Sequence, residues 1–235
     1  MKMTNKVAIV TGAGRGIGRA TALVFAREGA NVVLVAKTGS EIEAVADEIR
    51  RDGWEALPVP TDVSRKSEVE SMVKQAFDRF GEIDILVNNA GVAIHNPIPK
   101  IREEDWDLNI AVNLKGVFLC TQAVFSHMCD RGHGNIVNVS SISGKYGSPK
   151  FGAYCASKFG VVGFTEVTYA EGRPYGVKAS VVCPGPVDTK MRRDNHDDDL
   201  TKLAQPEDVA DLILFLVTQP SRAHTPEAVI EAPLM

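Results

Sequence analysis

Tyr154 and Lys158 stand four residues apart in the run Y-C-A-S-K. On a helix, positions i and i+4 share one face, about 6 Å apart along the axis. Most such pairs are solvated surface. A phenol in water has a pKa near 10 and is a poor base at neutral pH. An ammonium ~5 Å from the phenolic oxygen, at an effective dielectric near 20, attracts the phenolate by roughly 3 kcal/mol, or about two pKa units. A tyrosine lowered in that way exchanges protons near pH 7, as a general acid or base must. Carbonyl chemistry needs a second donor, to hold the oxygen as negative charge develops. Ser140 and Ser141 both offer a hydroxyl upstream. Cys155, between the pair, should point off their shared face and pack.

A second chemical signal lies near the N-terminus. A strand-like V-A-I-V runs into T-G-A-G-R-G-I-G, residues 11–18, and a helical pattern follows. Glycines there let the backbone turn tightly and approach a pyrophosphate, while the helix start offers free N–H groups and a positive dipole end. The plain G-x-G-x-x-G fingerprint is not met, because its last position falls on Ile17 or Arg19. T-G-x-x-x-G-x-G is met, with Gly12, Gly16 and Gly18. Folds that bind NAD usually place an acid about 20 residues past the turn, on the ribose hydroxyls. Here the second strand ends Ala36-Lys37-Thr38, and the first acid, Glu41, is already in the next helix. Lys37 and Arg15 would attract a 2′-phosphate that an acid would repel. NADP(H) is therefore the expected cofactor, with NAD(H) as the alternative.

The elements that must position these groups are legible as a pattern. Apolar β-branched runs at 7–11, 31–36, 56–60, 83–88, 135–140, 177–183 and, more weakly, 228–232 alternate with helical patterns at 16–28, 40–52, 64–80, 103–131, 153–171 and 206–218. Near-continuous Val, Ile and Leu fits parallel strands covered on both faces. Such alternation predicts an α/β fold, a doubly wound parallel β-sheet with helices on both faces. With 235 residues and no linker or repeat, 1–235 reads as a single domain. One segment, 188–205, is dense in charge and poor in apolar residues. It is either a plain surface loop, which composition favours, or a lid over a site.

Composition is ordinary for a globular protein, with 44% hydrophobic and 24% charged residues. The net charge of −4 argues against a general nucleic-acid binder. Cys120, Cys129, Cys155 and Cys183 form no C-x-x-C pair and have no histidine at ligand spacing, so no metal site is expected and packing thiols are. No signal peptide and no apolar run of membrane length is evident, which makes a cytoplasmic location the expectation and a membrane partner unexpected.

Taken in order, T-G-A-G-R-G-I-G, Asp62-Val63, Asn88-Asn89-Ala90-Gly91, Asn113, S-S-I-S-G at 140–144, Tyr154-x-x-x-Lys158 and Pro184-Gly185 resemble the short-chain dehydrogenase/reductase family. The likeness is to its short single-domain branch with the Rossmann fold, including 3-oxoacyl-[acyl-carrier-protein] reductase-like members, and runs from Lys6 to about Thr189. The resemblance implies a set of roles. Gly12, Arg15, Gly16, Ile17 and Gly18 hold the phosphates. Asp62 and Val63 hold the adenine, and Asn89, Ala90 and Gly91 line the ribose. Pro184, Gly185, Val187 and Thr189 border the nicotinamide. Tyr154 is the general acid/base, and Lys158 lowers its pKa and positions the ribose. Ser141 is preferred to Ser140 because it matches the family serine three residues before Gly144. Asn113 matches a residue that anchors a water leading from the lysine to solvent. Of Asn88 and Asn89, one is expected only to cap backbone groups.

Substrate-facing candidates are His95, Ser141, Ser143, Tyr146, Phe151 and Met191, with 188–205 as the substrate loop. Arg192 and Arg193 could meet an acidic group. Two places depart from the family pattern. Gly172-Arg173 ends the Tyr154 helix where relatives carry an apolar helix former and a small residue, at a cost of around 1 kcal/mol and with doubt for a subunit contact. The C-terminal A-V-I-E-A-P-L-M lacks the Gly-Gly segment of relatives. A homodimer or homotetramer is expected. The leading expectation is NADPH-dependent reduction of a ketone or 3-oxoacyl group to an alcohol. The competing ones are a nucleotide-sugar epimerase or dehydratase, for which the chain has little room, and a non-catalytic NADPH sensor.

Overall fold

The computed structural model describes residues 1–232. The apolar runs become seven strands: β1 (Val7–Thr11), β2 (Asn31–Ala36), β3 (Ala56–Pro60), β4 (Ile85–Asn88), β5 (Gly134–Val139), β6 (Val177–Pro184) and β7 (Glu227–Ile230). They form one sheet in the order β3-β2-β1-β4-β5-β6-β7, and every pairing is parallel. The chain moves outward from β1 to β3, then returns to the other side of β1 through β4. That reversal makes a crevice beyond the carboxyl ends of β1 and β4, where ligands bind in open α/β sheets.

Side-chain alternation along the strands separates two cores. Ala8, Val10, Val32, Leu34 and Val87 pack with α1 (Gly16–Arg27), α2 (Gly39–Arg51) and α8 (Pro206–Val217). Val7, Ile9, Val33, Val35 and Leu86 pack on the opposite face with α3 (Lys66–Phe80) and α5 (Gly116–Asp130). The helix α6 (Gly152–Gly172) covers β6 beside α5, through Val161 against Val181 and Cys183. Cys120, Cys155 and Cys183 are buried, as packing thiols should be.

Several boundaries differ from the expected ones. β4 starts at Ile85, just after Asp84, whose carboxylate accepts from the Val7 amide (2.9 Å) and from Lys6 (3.0 Å). The expected helix over 103–131 is α4 (Glu103–Ile110), a π-helical turn (Ala111–Lys115) and α5. The whole run Glu103–Asp130 is 28 residues and apolar enough to cross a membrane by length and composition, contrary to the expectation. Its Leu119, Cys120, Val124 and Met128 are instead buried against strand and α3 residues. The segment after β6 is not featureless. It contains α7 (Lys190–Arg193), a 3₁₀ turn (Leu200–Lys202) and a bridge between Val187 and Ala204. Part of the unusual C-terminal end, 233–235, lies outside the described residues.

Gly172 reverses its expected meaning. α6 runs through it without fraying, and a 3₁₀ turn (Arg173–Tyr175) follows. A β-carbon there would stand 2.9 Å from Val177 Cβ and 3.2 Å from Phe125. Glycine is the residue that lets α6 close on β6, so its propensity cost is offset by packing. Gly172→Ala should therefore destabilise the protein by about 1–3 kcal/mol through overpacking. Helix propensity alone would give a gain of about 1 kcal/mol. Urea unfolding midpoints of the two proteins decide the sign.

Candidate active site

The crevice holds a cavity of about 770 Å³. Its floor is the glycine turn between β1 and α1. Gly12 (φ 66°) and Gly16 (φ 55°) occupy left-handed backbone that favours glycine. Arg15 is the N-cap of α1, leaves its first amides uncapped by a side chain, and the first turn carries no acid. That end is therefore electropositive. Gly18 does not line the cavity, contrary to expectation. A β-carbon at Gly18 would lie 2.2 Å from the Gly12 carbonyl oxygen, so its smallness serves to close the turn.

Thr11 ties this turn to β4. Its hydroxyl donates to the Val87 carbonyl (3.3 Å) and accepts from the amides of Asn89 (2.9 Å) and Ala90 (3.0 Å). The two asparagines divide differently from the expectation. Asn88 donates to side chains, Thr121 Oγ1 (3.2 Å) and Asn138 Oδ1 (2.8 Å), beneath the sheet edge. Asn89 is the one bonded to backbone, donating to the carbonyls of Thr11 (3.0 Å) and Gly12 (3.3 Å), and it also lines the cavity.

At one end of the cavity lie Lys37, Asp62, Val63, Arg15 and Ile17. Asp62 accepts from the Ser64 hydroxyl (2.6 Å) and amide (3.1 Å) and pairs with Lys37 Nζ at 3.1 Å. Burial pushes the Asp62 carboxyl up, but Ser64 and Lys37 together hold it below its ordinary value. Arg15 pairs with Glu41 at 3.2 Å. Glu41 lines the cavity, so the acid that sequence spacing put inside the next helix stands at the site after all.

At the other end, α6 presents Tyr154 and Lys158 beside Ser141, and all three line the cavity. Lys158 is 4% exposed, and its ammonium donates to the Val139 carbonyl at the end of β5 (2.9 Å). Ser140 is committed elsewhere, donating to the Lys158 carbonyl (2.9 Å). The Ser141 hydroxyl accepts from the Ser143 amide (3.1 Å) and donates weakly to the Pro184 carbonyl (3.5 Å). Asn113, fully buried in the π-helical turn, is a brace. It accepts from the Val92 amide (2.8 Å) and donates to the Val92 carbonyl (2.9 Å) and to Ser157 (3.0 Å). Ser157 in turn donates to the Tyr154 carbonyl (2.7 Å). The π-helical turn was not foreseen; such turns concentrate at functional sites.

The protonation states depart from the simple charge-pair expectation. Burial pushes the Tyr154 phenol up to about 12, with Ser141 opposing. Burial also pushes Lys158 down to about 8. The ammonium lies 5.6 Å from the centre of the Tyr154 ring and is bonded to a carbonyl, so desolvation outweighs its pull on the phenolate. The tyrosine is therefore a protonated donor at neutral pH.

Above Tyr154 sit His95, Phe151 and His196. His95 stacks on Phe151 (3.9 Å between ring centres) and meets Tyr154 edge-on (5.6 Å), and His196 stands 6.0 Å from both His95 and Phe151. Burial first, then His196 and Arg192, push His95 down to about 4, and its buried Nε2 has no protein partner. Ser143 and Met191 line the cavity as expected. Tyr146 does not: it is 52% exposed, and its hydroxyl donates to Glu231 (3.3 Å). Arg192 and Arg193 are also not free for an acid, since Arg192 forks onto Asp198 and Arg193 onto Asp188. His196, Leu108 and Val112 line the cavity unforeseen. His196 sits in a charged run without periodicity. Leu108 and Val112 carried a signal, their four-residue spacing just ahead of Asn113.

A dinucleotide fits these residues. The β-positions of Gly12 and Gly14 are already filled by Asn89, Ala90 and Glu41, so glycine backbone is required at both. Ala90, Gly91, Pro184, Gly185, Val187 and Thr189 line the middle. Fold and site together define a nucleotide-binding α/β oxidoreductase scaffold. The chain belongs to the short chain dehydrogenase family, whose model matches residues 6–200. It is 40% identical to a 3-oxoacyl-[acyl-carrier-protein] reductase of Synechocystis sp. over 229 residues, covering 94% of this chain and 93% of the relative. It is also 40% identical to the (2S)-[(R)-hydroxy(phenyl)methyl]succinyl-CoA dehydrogenase subunit BbsD of Thauera aromatica over 230 residues, covering 94% and 92%. The crystal structure of a metagenomic short-chain oxidoreductase in complex with NADP superimposes with a TM-score of 0.88 at 33% identity, covering 100% of both chains.

The Lys158 shift makes a stability prediction. Its folded pKa, about 8, lies below the ordinary 10.5, so the buried charge destabilises the fold at pH below 8, on the order of 3 kcal/mol. That penalty disappears as pH rises from about 8 to 10.5, because only the unfolded chain binds the proton in that window. Lys158→Met removes the titration. The stability difference between wild type and variant should therefore shift in favour of wild type between pH 7 and pH 10, read by urea unfolding. A difference that stays constant with pH would exclude a depressed lysine.

Proposed function

We propose that this oxidoreductase is an NADP(H)-dependent carbonyl reductase that converts a ketone, foremost a 3-oxoacyl thioester, to an alcohol. The observation that carries the reading is the convergence of Ser141, Tyr154 and Lys158, which line the same cavity as Arg15 and Lys37. The dinucleotide, when bound, supplies the hydride to the carbonyl carbon. Tyr154, protonated at neutral pH, donates its phenolic proton to the oxygen. Ser141 gives the developing oxyanion a second hydroxyl donor. Lys158 opposes the tyrosinate that remains, which is the moment its charge matters most. Asn113, Ser157 and Ser140 hold these groups without touching the substrate. Lys37 and Arg15 favour a 2′-phosphate, and a structural neighbour with NADP bound supports that cofactor. The thioester preference rests on the two named relatives, whose names specify an acyl-carrier-protein and a CoA substrate. We assign 188–205 as the substrate loop, with His95, Ser143, Phe151, Met191 and His196 facing the substrate, and we expect a homodimer or homotetramer.

The test is NADPH consumption across a panel of ketones and 3-oxoacyl thioesters, followed at 340 nm, for wild type and Tyr154→Phe. Turnover should fall by about 10²-fold or more in the variant. The NADPH dissociation constant should move by less than about tenfold, the worth of one hydrogen bond. Full turnover in Tyr154→Phe refutes the assignment, and NADPH binding without consumption on any member of the panel points to a sensor.

A further inference from the structure

We propose that Glu41 sets how strongly the protein discriminates NADP(H) from NAD(H), by competing with the 2′-phosphate for Arg15. This rests on the reading that the cavity binds a nicotinamide dinucleotide. It goes beyond that reading by naming the residue that limits the preference.

Three observations hold Glu41 in that position. Its Oε1 is 3.2 Å from Arg15 Nη1. It lies in the first turn of α2, where the helix end favours an anion. Its side chain also packs on the bare backbone of Gly14: a β-carbon added there would be 2.7 Å from Glu41 Cβ and 2.8 Å from its Oε2. The side chain root therefore cannot retreat unless α2 moves, and only the carboxylate can rotate. The second cation is engaged in the same manner, Lys37 to Asp62 at 3.1 Å, with Arg65 Nε 3.8 Å from that carboxylate. Arg65 also pairs with Glu68 (3.4 Å).

Arg15, Lys37, Glu41 and Asp62 all line the cavity, and their formal charges cancel. An arriving 2′-phosphate meets a neutral cluster, not a cationic one. To gain Arg15 it must displace Glu41 and leave a carboxylate beside it, a like-charge contact that disfavours both anions. A ribose that carries only hydroxyls disturbs neither ion pair, and its hydroxyls can donate to an acid. Glu41 thus weakens NADP(H) and spares NAD(H), so wild-type selectivity should be modest despite two cations at the site.

The experiment uses the full-length protein and four probes: 2′,5′-ADP and 5′-AMP by calorimetry, NADPH and NADH by fluorescence titration. Four variants are compared with wild type, one of them Arg15→Gln alone, the reference against which the double variant is read. Glu41→Gln keeps the size and the contact with Gly14 but removes the charge. Glu48→Gln removes an equal charge from the same helix, where Glu48 pairs with Arg19 outside the cavity lining. The double variant Arg15→Gln/Glu41→Gln removes the cation being competed for. Glu41→Gln should tighten 2′,5′-ADP and NADPH by roughly five- to tenfold, as expected for one released ion pair plus one removed like charge at an exposed site. It should change 5′-AMP and NADH by less than about twofold. Glu48→Gln should leave the NADPH to NADH ratio unchanged, and the gain should vanish in the Arg15→Gln background. Equal gains for both dinucleotides, no gain, or a gain that survives Arg15→Gln would overturn the proposal. A wild type that prefers NADH would defeat the cofactor reading alone, because a selective gain in Glu41→Gln would still establish the competition.

Discussion

The Tyr154 end of the cavity depends on placing one ammonium, that of Lys158, where it is almost wholly withdrawn from solvent. A buried charge is tolerated only with compensating partners, and here the partner is the last carbonyl of β5, at Val139. That bond ties α6 to the end of β5. Further bonds hold the same region: Ser140 clamps the Lys158 carbonyl, Ser157 and Asn113 clamp the turn before it, and Asn113 carries the constraint back to Val92 after β4. Three elements far apart in sequence are thereby locked to one lysine. The cost of burying it appears as the pKa pushed down to about 8.

The two ends of the cavity solve electrostatics in opposite ways. Around Tyr154 and Lys158 desolvation dominates, so proton affinities move far from their ordinary values and a phenol stays protonated. Around Arg15 and Lys37 water still screens the charges: these side chains are 60% and 79% exposed, and each is balanced by an acid. Selectivity at such a site comes from which pair must be broken, since exposed pairs contribute little by themselves. The glycine turn joins the two regimes, because its bare backbone and open helix end attract an anion without a side-chain charge.

Much of this was legible in the chain. The strand–helix alternation predicts the sheet and its doubly wound class, because a parallel strand buried on both faces has to be apolar along its length. The glycine turn, Tyr154 and Lys158 were legible for a related reason: their chemistry is local to a turn or to one helical face. The strand order at β1 and β4 was not written in any one segment. Nor was Gly172, whose small size reads as a weakness in the helix until Val177 and Phe125 are seen against it. Tyr146 shows the converse. It was a substrate-facing candidate in the sequence, yet the segment after the 3₁₀ turn at Ile142–Gly144 carries its hydroxyl to Glu231.

Residue types and spacings by themselves determined the fold class, the glycine turn and the tyrosine–lysine face, since each depends on interactions within a few residues or on periodicity. Only the tertiary structure decided what those groups would feel. The pull of Lys158 on Tyr154 is a matter of charge and distance that sequence can anticipate, but desolvation opposes it, pushing the phenol up and the ammonium down. Glu41 looked remote from the turn by counting residues, and it becomes Arg15's partner because the first turn of α2 packs on Gly14. Desolvation and long-range contact are properties of the assembled fold. They belong to no segment of the chain taken alone.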